Sequence, residues 1–210
     1  MTRILIADDH AILRRGLQEI LLRELDGAVC GEAKDAPEIL SRVQEDGWDL
    51  VILDITMPGR SGLDVLRELR TARPRLPVLV LSMHPEDQYG KRMLRAGAAG
   101  YLNKESAPEE LVKAVRKVLA GGRYVSAALA EKLAFDMSPD TGRPLHETLS
   151  HREFEILRMI AAGKTVTQVA ENLHLGVTTV STYRARILVK MQMSTTAELM
   201  HYALRNGLVD

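Results

Sequence analysis

Two short apolar runs end in carboxylates. Ile4-Leu5-Ile6-Ala7 leads into Asp8-Asp9, and Leu50-Val51-Ile52-Leu53 leads into Asp54. Such runs read as buried strands of a parallel sheet. The site of a sheet of this kind lies just past the carboxyl ends of its strands. If the two strands are neighbours, three carboxylates converge at one edge. Like charges that close raise one another's pKa values unless a cation sits among them. Hard oxygen ligands suit Mg²⁺, which takes one or two carboxylates plus water and phosphate oxygens. The set fits phosphoryl transfer onto a carboxylate, with Asp54 as nucleophile. The competing reading is that these aspartates cap helices, and Asp9 is well placed to do so.

The elements that must position these groups follow from periodicity. Strands are expected at 3–8, 28–33, 50–55, 77–83 and 100–104, and helices at about 9–25, 35–46, 61–72, 85–96 and 107–120. In the first helix Ile12, Leu13, Leu17, Ile20, Leu21 and Leu25 are expected to share the inward face. Asp35-Ala36-Pro37-Glu38 and Ser106-Ala107-Pro108-Glu109 both resemble helix starts, and Gly97 and Gly121-Gly122 are placed to end helices. Five strands alternating with five helices predict an α/β doubly wound, five-stranded parallel sheet over residues 1–121.

Residues 122–148 break the pattern and read as a linker, with a short helix at 124–135 and a polar, turn-rich stretch from Ser138 to Pro144. Residues 149–210 then read as an all-α, four-helix domain. Ser150-His151-Arg152-Glu153 is a capping box opening a helix with Phe154, Leu157 and Ile160 inward. A second helix is expected at about 166–173, a third at 177–192 after the turn His174-Leu175-Gly176, and a fourth at 196–206. Two helices joined by a tight turn in such a domain match a helix-turn-helix unit.

Composition bounds the partners only loosely. The 210 residues are 46% hydrophobic and 27% charged with a net charge of +0, as expected of a globular protein. Residues 149–210 carry seven Lys/Arg against five Asp/Glu, a weak basic bias. The single Cys30 cannot form an internal disulfide and reads as a small core hydrophobe. The six histidines show no metal-ligand spacing and read as surface or packing residues. There is no signal-peptide pattern and no apolar run of membrane-span length, so a cytoplasmic location without membrane association is expected.

Taken together, these residues resemble the two-component response regulators of the NarL/FixJ class, which join a receiver domain to a LuxR-type helix-turn-helix domain. The receiver signature is Asp8-Asp9, Asp54 with Met57-Pro58-Gly59, Ser82, Tyr101 and Lys104, at successive strand ends. The C-terminal signature is Leu149-Ser150-His151-Arg152-Glu153, Val169-Ala170 and Thr179-Val180. The resemblance implies a receiver at 1–121, a linker at 122–148 and a DNA-binding domain at 149–210. It implies a phosphoacceptor, Asp54; Mg²⁺ held by Asp8, Asp9, Asp54 and the backbone carbonyl of Thr56; and phosphoryl-stabilising and switch roles for Lys104, Ser82 and Tyr101, with Tyr101 occupying space that Ser82 leaves on moving inward. Seen singly, Ser82, Tyr101 and Lys104 are ordinary strand-end residues; their joint placement is what carries the reading.

In the same way the third C-terminal helix is expected in the DNA major groove, with Thr178, Thr179, Ser181, Thr182, Arg184 and Arg186 as candidate base contacts. Lys164, Thr165 and Lys190 are candidate phosphate contacts. Three departures from the family pattern are Gly176 in place of a capping Ser, Ser181 in place of Lys and Val166 in place of Asn. They imply weak monomer affinity and reliance on a homodimer formed on phosphorylation. The resemblance further implies a sensor histidine kinase as phosphoryl donor and a regulator of transcription, not an enzyme. A dehalogenase-like phosphatase needs a second Asp two residues past the nucleophile, where Thr56 stands. Two further readings compete: a vestigial receiver on a constitutive DNA-binding protein, and an output through protein contacts.

Overall fold

The computed structural model describes residues 1–45, 47–57, 60–135 and 144–209. They form two compact units, 1–138 and 139–210. Pro58 and Gly59 of the receiver signature, and most of the turn-rich stretch from Ser138 to Pro144, lie outside the described residues.

In the first unit β1 (Thr2–Ala7), β2 (Ala28–Ala33), β3 (Leu50–Asp54), β4 (Val78–Ser82) and β5 (Gly100–Asn103) form one sheet. All four pairings are parallel, in the order β2-β1-β3-β4-β5. Every residue of β3 and β4 is buried, as a sheet covered on both faces requires. The connecting helices are α1 (Ala11–Glu24), α2 (Ala36–Gln44), α3 (Gly62–Ala72), α4 (Glu86–Arg95) and α5 (Ala107–Leu119). The expected α/β order holds, with boundaries shifted by one or two residues. The strand order reverses direction between β1 and β3, which is where the crevice of such a sheet opens.

Four local expectations need correction. Ile12 does not share the inward face of α1: it is 89% exposed, whereas Leu17 and Leu21 are buried. It precedes Leu17 by five positions, about 140° round a helix. Asp9 does not cap α1, because His10 takes the N-cap position without a side-chain bond. Ser106 does not cap α5 through its side chain; Asn103 instead caps a 3₁₀ turn over Lys104–Ser106 that runs into α5. Cys30 is only partly buried, against the main core.

The chain after α5 stays with the first unit. Tyr124 exchanges backbone hydrogen bonds with Ala99 and Tyr101, extending the edge at β5. It leads into α6 (Ala127–Phe135), which packs on α4. Gly90 makes this close approach possible, since a Cβ there would meet Leu129 Cδ2 at 2.5 Å. The Ser126 N–H donates to Glu86 Oε1 at 3.0 Å beside that contact.

The second unit holds α7 (His151–Ala161), α8 (Val166–Asn172), α9 (Val177–Lys190) and α10 (Thr196–Arg205). The Ser150/Glu153 capping box at α7 is complete. Thr165 and Gln168 make a second at α8. Phe154, Leu157, Ile160, Val169, Val180, Ile187, Leu199 and Ala203 are buried and form the core. His174 takes a positive φ of 52° in the turn between α8 and α9.

Candidate functional site

The sheet brings the predicted carboxylates together. Asp54 ends β3 with no exposure, and Asp8 follows β1 at 1% exposure. Burial of two carboxylates demands a counter-charge, and Lys104, just past β5, supplies it. Its Nζ lies 2.7 Å from Asp54 Oδ2 and 2.7 Å from Asp8 Oδ2. Burial alone would lower the ammonium pKa, but the Asp54 hydrogen bond and the charges of Asp54 and Asp8 raise it above its ordinary value. The ion remains charged throughout the neutral range. The Asp54 contact is a well-formed hydrogen bond, whereas Asp8 Oδ2 accepts none and is held by charge alone.

The other Asp54 oxygen is bound locally. Oδ1 accepts from the Thr56 N–H at 2.8 Å and from the Thr56 hydroxyl at 2.5 Å. Both oxygens therefore have fixed partners, which sets the plane of the carboxylate. Gly62 at the start of α3 lets the helix abut the segment after Asp54: a Cβ there would fall 2.3 Å from Ile55 Cα. Arg14 braces the neighbouring strand end, donating to the Asp8 carbonyl at 2.6 Å and to Glu32 at 2.9 Å.

Asp9 and His10 complete the cluster at its solvent edge. His10 Nδ1 is 2.9 Å from Asp9 Oδ1 and 3.1 Å from Asp8 Oδ1. One ligand atom from each of Asp8, Asp9, His10 and Asp54 lies within 4.8 Å of all the others. Hard carboxylate oxygens that close, one of them without a hydrogen bond, fit a divalent cation. His10 is exposed, as a surface histidine is expected to be, but it had no expected place among the ligand atoms although it directly follows the acid pair.

Ser82 ends β4 and is fully buried. Its Oγ accepts from the His84 N–H at 3.0 Å. Tyr101 is 1% exposed and its hydroxyl donates to the His84 carbonyl at 2.8 Å. Burial raises the phenol pKa well above its ordinary value, so the hydroxyl remains a donor. The family resemblance implies that Tyr101 enters a space vacated by Ser82; here the ring is already inside. His84 stacks on Tyr89 of α4 with centroids 4.3 Å apart. No side-chain pattern marks His84, which binds Tyr101 and Ser82 through its backbone.

Known proteins match this arrangement in both units. Residues 4–116 match the response regulator receiver domain family, and residues 147–203 match the bacterial regulatory proteins of the luxR family. The response regulator GacA of Pseudomonas viridiflava is 38% identical over 100% of this chain and 99% of its own length. The chain is a DNA-binding two-component response regulator of the LuxR family. The response regulator UvrY of Escherichia coli K12 is 34% identical over 99% of this chain and 96% of its own. A structure of RcsB from Salmonella enterica serovar Typhimurium, bound to promoter rprA in the presence of phosphomimetic BeF3−, aligns with a TM-score of 0.64. It has 25% identity and covers 96% of this chain and 98% of that one. Proteins of this family are transcription factors, not enzymes, and their receiver domains generally bind Mg²⁺ at an acidic pocket.

In the regulator's second unit the DNA-contact candidates fall into separate groups. Thr178, Thr179, Ser181, Thr182, Arg184 and Arg186 are all exposed on α9. Measured at about 100° per residue from the side of α9 opposite buried Val180 and Ile187, Arg186 lies about 70° away and Arg184 about 130°. No side chain caps α9, whose N-cap is Gly176, as the sequence implied. Lys164 is exposed, and Thr165 is engaged in the α8 capping box. Lys190 donates to Glu153 Oε2 at 2.7 Å, tying the end of α9 to the start of α7. A phosphate contact by Lys190 would have to use its remaining donors.

Proposed function

We propose that Asp54 is the phosphoacceptor, and that its phosphorylation by a sensor histidine kinase controls dimerisation and site-specific DNA binding. The observation that carries this is the buried meeting of Asp54, Asp8 and Lys104 at the ends of three strands. An Asp54 oxygen attacks the phosphorus of the kinase phosphohistidine, the P–N bond breaks, and an acyl phosphate remains on Asp54. Asp8, Asp9, Asp54 and the Thr56 carbonyl would hold Mg²⁺, which when bound would supply neutralisation of charge on the transferring oxygens. Thr56 orients Asp54 before transfer through its two hydrogen bonds. Lys104, released from Asp8, pairs with the phosphoryl oxygens as a point charge.

The Ser82 hydroxyl then turns to a phosphoryl oxygen and withdraws its bond from the His84 N–H. His84 also carries the carbonyl that Tyr101 binds and stacks on Tyr89, so the change reaches α4 and α6. This is a local event of the kind that biases a two-state element. The working division is a receiver at 1–121, a connecting stretch at 122–148 whose first part, through α6, packs on the receiver, and a DNA-binding domain at 149–210. Lys164, Thr165 and Lys190 serve phosphates, while Thr178, Thr179, Ser181, Thr182 and Arg186 face the groove; Arg184, turned well away from that side of α9, is the weakest of the base-contact candidates. The RcsB structure bound to a promoter with BeF3− is the same pairing of phosphoryl mimic and DNA that this reading assigns here. Among the described residues no helix is long and apolar enough to cross a membrane, in keeping with action on DNA in the cytoplasm.

Selection of genomic fragments by the purified chain, with and without Mg²⁺ and beryllofluoride, tests the proposal. Enrichment of paired half-sites only with the mimic is expected. Equal enrichment in both arms would refute control by the receiver.

A further inference from the structure

The outermost line of α9 carries methyl groups and no charge. Buried Val180, Ile187 and Met191 mark the side of α9 turned to the core. On the opposite side, at i, i+4, i+7 and i+11, stand Thr178, Thr182, Ala185 and Val189, all exposed. That spacing is one straight line along a helix, and every member ends in at least one methyl. Val189 is 78% exposed. Between Val177 and Tyr183 the helix has no charged side chain at all.

Thr182 is less polar than its name implies. Its hydroxyl donates to the Thr178 carbonyl at 3.0 Å, within the helix itself. The donor is spent on backbone, and the methyl is the part left for a partner. Arg186 flanks the line and shares a cleft of about 230 Å³ with Thr178, Thr179, Thr182 and Tyr183.

Resting on the DNA-binding reading above, we propose that this regulator recognises its half-site chiefly through thymine 5-methyl groups, read by Thr178, Thr182 and Ala185. In the major groove the thymine methyl is the one apolar base-edge feature, and Ala and Thr methyls are its partners. The N-terminal turns of a recognition helix are those that reach base edges, and here they lack the Arg or Lys that would pair with guanine O6 and N7. The core of the half-site is therefore A·T base pairs with thymines facing α9. A guanine contact falls at the flank, within reach of Arg186.

The test uses the full chain with Mg²⁺ and beryllofluoride and the duplex it selects from genomic DNA. Thymines of one half-site are replaced one at a time by deoxyuridine, which lacks only the 5-methyl. Affinity is expected to fall about three- to fourfold per methyl removed, at two or more positions. Thr178→Ser with Thr182→Ser and Ala185→Gly removes all three reading methyls and keeps both hydroxyls. That variant is expected to bind the thymine and uracil duplexes alike. Equal binding of both duplexes by the natural sequence would overturn the proposal, as would discrimination that survives in the triple variant. If the loaded protein selects no duplex at all, the DNA-binding reading fails and this inference fails with it.

Discussion

The two functional regions of this chain obey opposite physical demands. At the receiver site Asp54, the proposed acceptor, is fully buried, its charge held by one lysine shared between two aspartates. On α9 the candidate reading groups are exposed, and Thr182 donates only to its own helix. Phosphoryl transfer needs convergence in a site where charges act strongly on one another. Groove reading needs a rigid convex surface with groups free to meet bases. The first region is thus dominated by electrostatics among a few residues, and the second by the sum of small contacts. Substitutions should follow the same split, with large all-or-none effects in one region and graded ones in the other.

The largest effect is expected at Asp54. Asp54→Asn removes the nucleophilic oxygen, and no phosphoryl group should be incorporated from a small-molecule donor, as read by intact mass. Retained incorporation at the same stoichiometry would break the assignment. Next comes Lys104→Met, which leaves Asp8 and Asp54 buried and unpaired. Unfolding stability in metal-free buffer should drop by about 3–5 kcal/mol, with a large part restored by Mg²⁺. Because the Lys104 pKa is raised in the folded state, its pairing contributes fully below its ordinary value of 10.5 and is lost only at more alkaline pH. A chevron or urea series from about pH 7 to 9 should therefore show no titration from this group.

In the second unit the effects are smaller. Burial would raise the Glu153 pKa, but the Lys190 and Ser150 hydrogen bonds lower it below 4.5. Its contribution is then present above pH 4.5 and lost as pH falls through the lower folded value. Lys190→Met should cost about 1–2 kcal/mol at neutral pH and much less in acid, by thermal melting at several pH values. The salt dependence of DNA binding sharpens the comparison: if Lys190 also neutralises a phosphate, the slope of log K against log salt falls by about 0.9 in the methionine variant. Last, Gly176→Ser supplies the missing side-chain cap on α9 and should stabilise the second unit by a few tenths of a kcal/mol. A loss of stability would mean that the Gly176 backbone, not its missing side chain, suits the turn.

The same division governs what could be read from the sequence. The strands, the helices and the receiver set were legible because the apolar runs end in the residues that matter, and parallel topology forces those ends to one edge. Ile12 was misplaced because an apolar residue beside an amphipathic stripe counts as part of it unless its angle is worked out. The contacts of His10 and His84 escaped the sequence for different reasons. The first rests on proximity to acids, and the second on backbone groups, which no side-chain pattern encodes. On α9 the candidate residues were legible by position, but not their grouping into a methyl line with Arg186 at its flank, which needs the direction of the core. The Lys190–Glu153 pair spans 37 positions and links two helices, a contact that periodicity cannot reveal.

Control of DNA binding by the state of Asp54 is tested most directly by titrating one selected duplex with the full chain, with and without Mg²⁺ and beryllofluoride, for the natural sequence and for Asp54→Asn. Coupling between the sites predicts at least about tenfold tighter binding with the mimic, and no change for Asp54→Asn. Equal affinity with and without the mimic in the natural sequence would contradict the account.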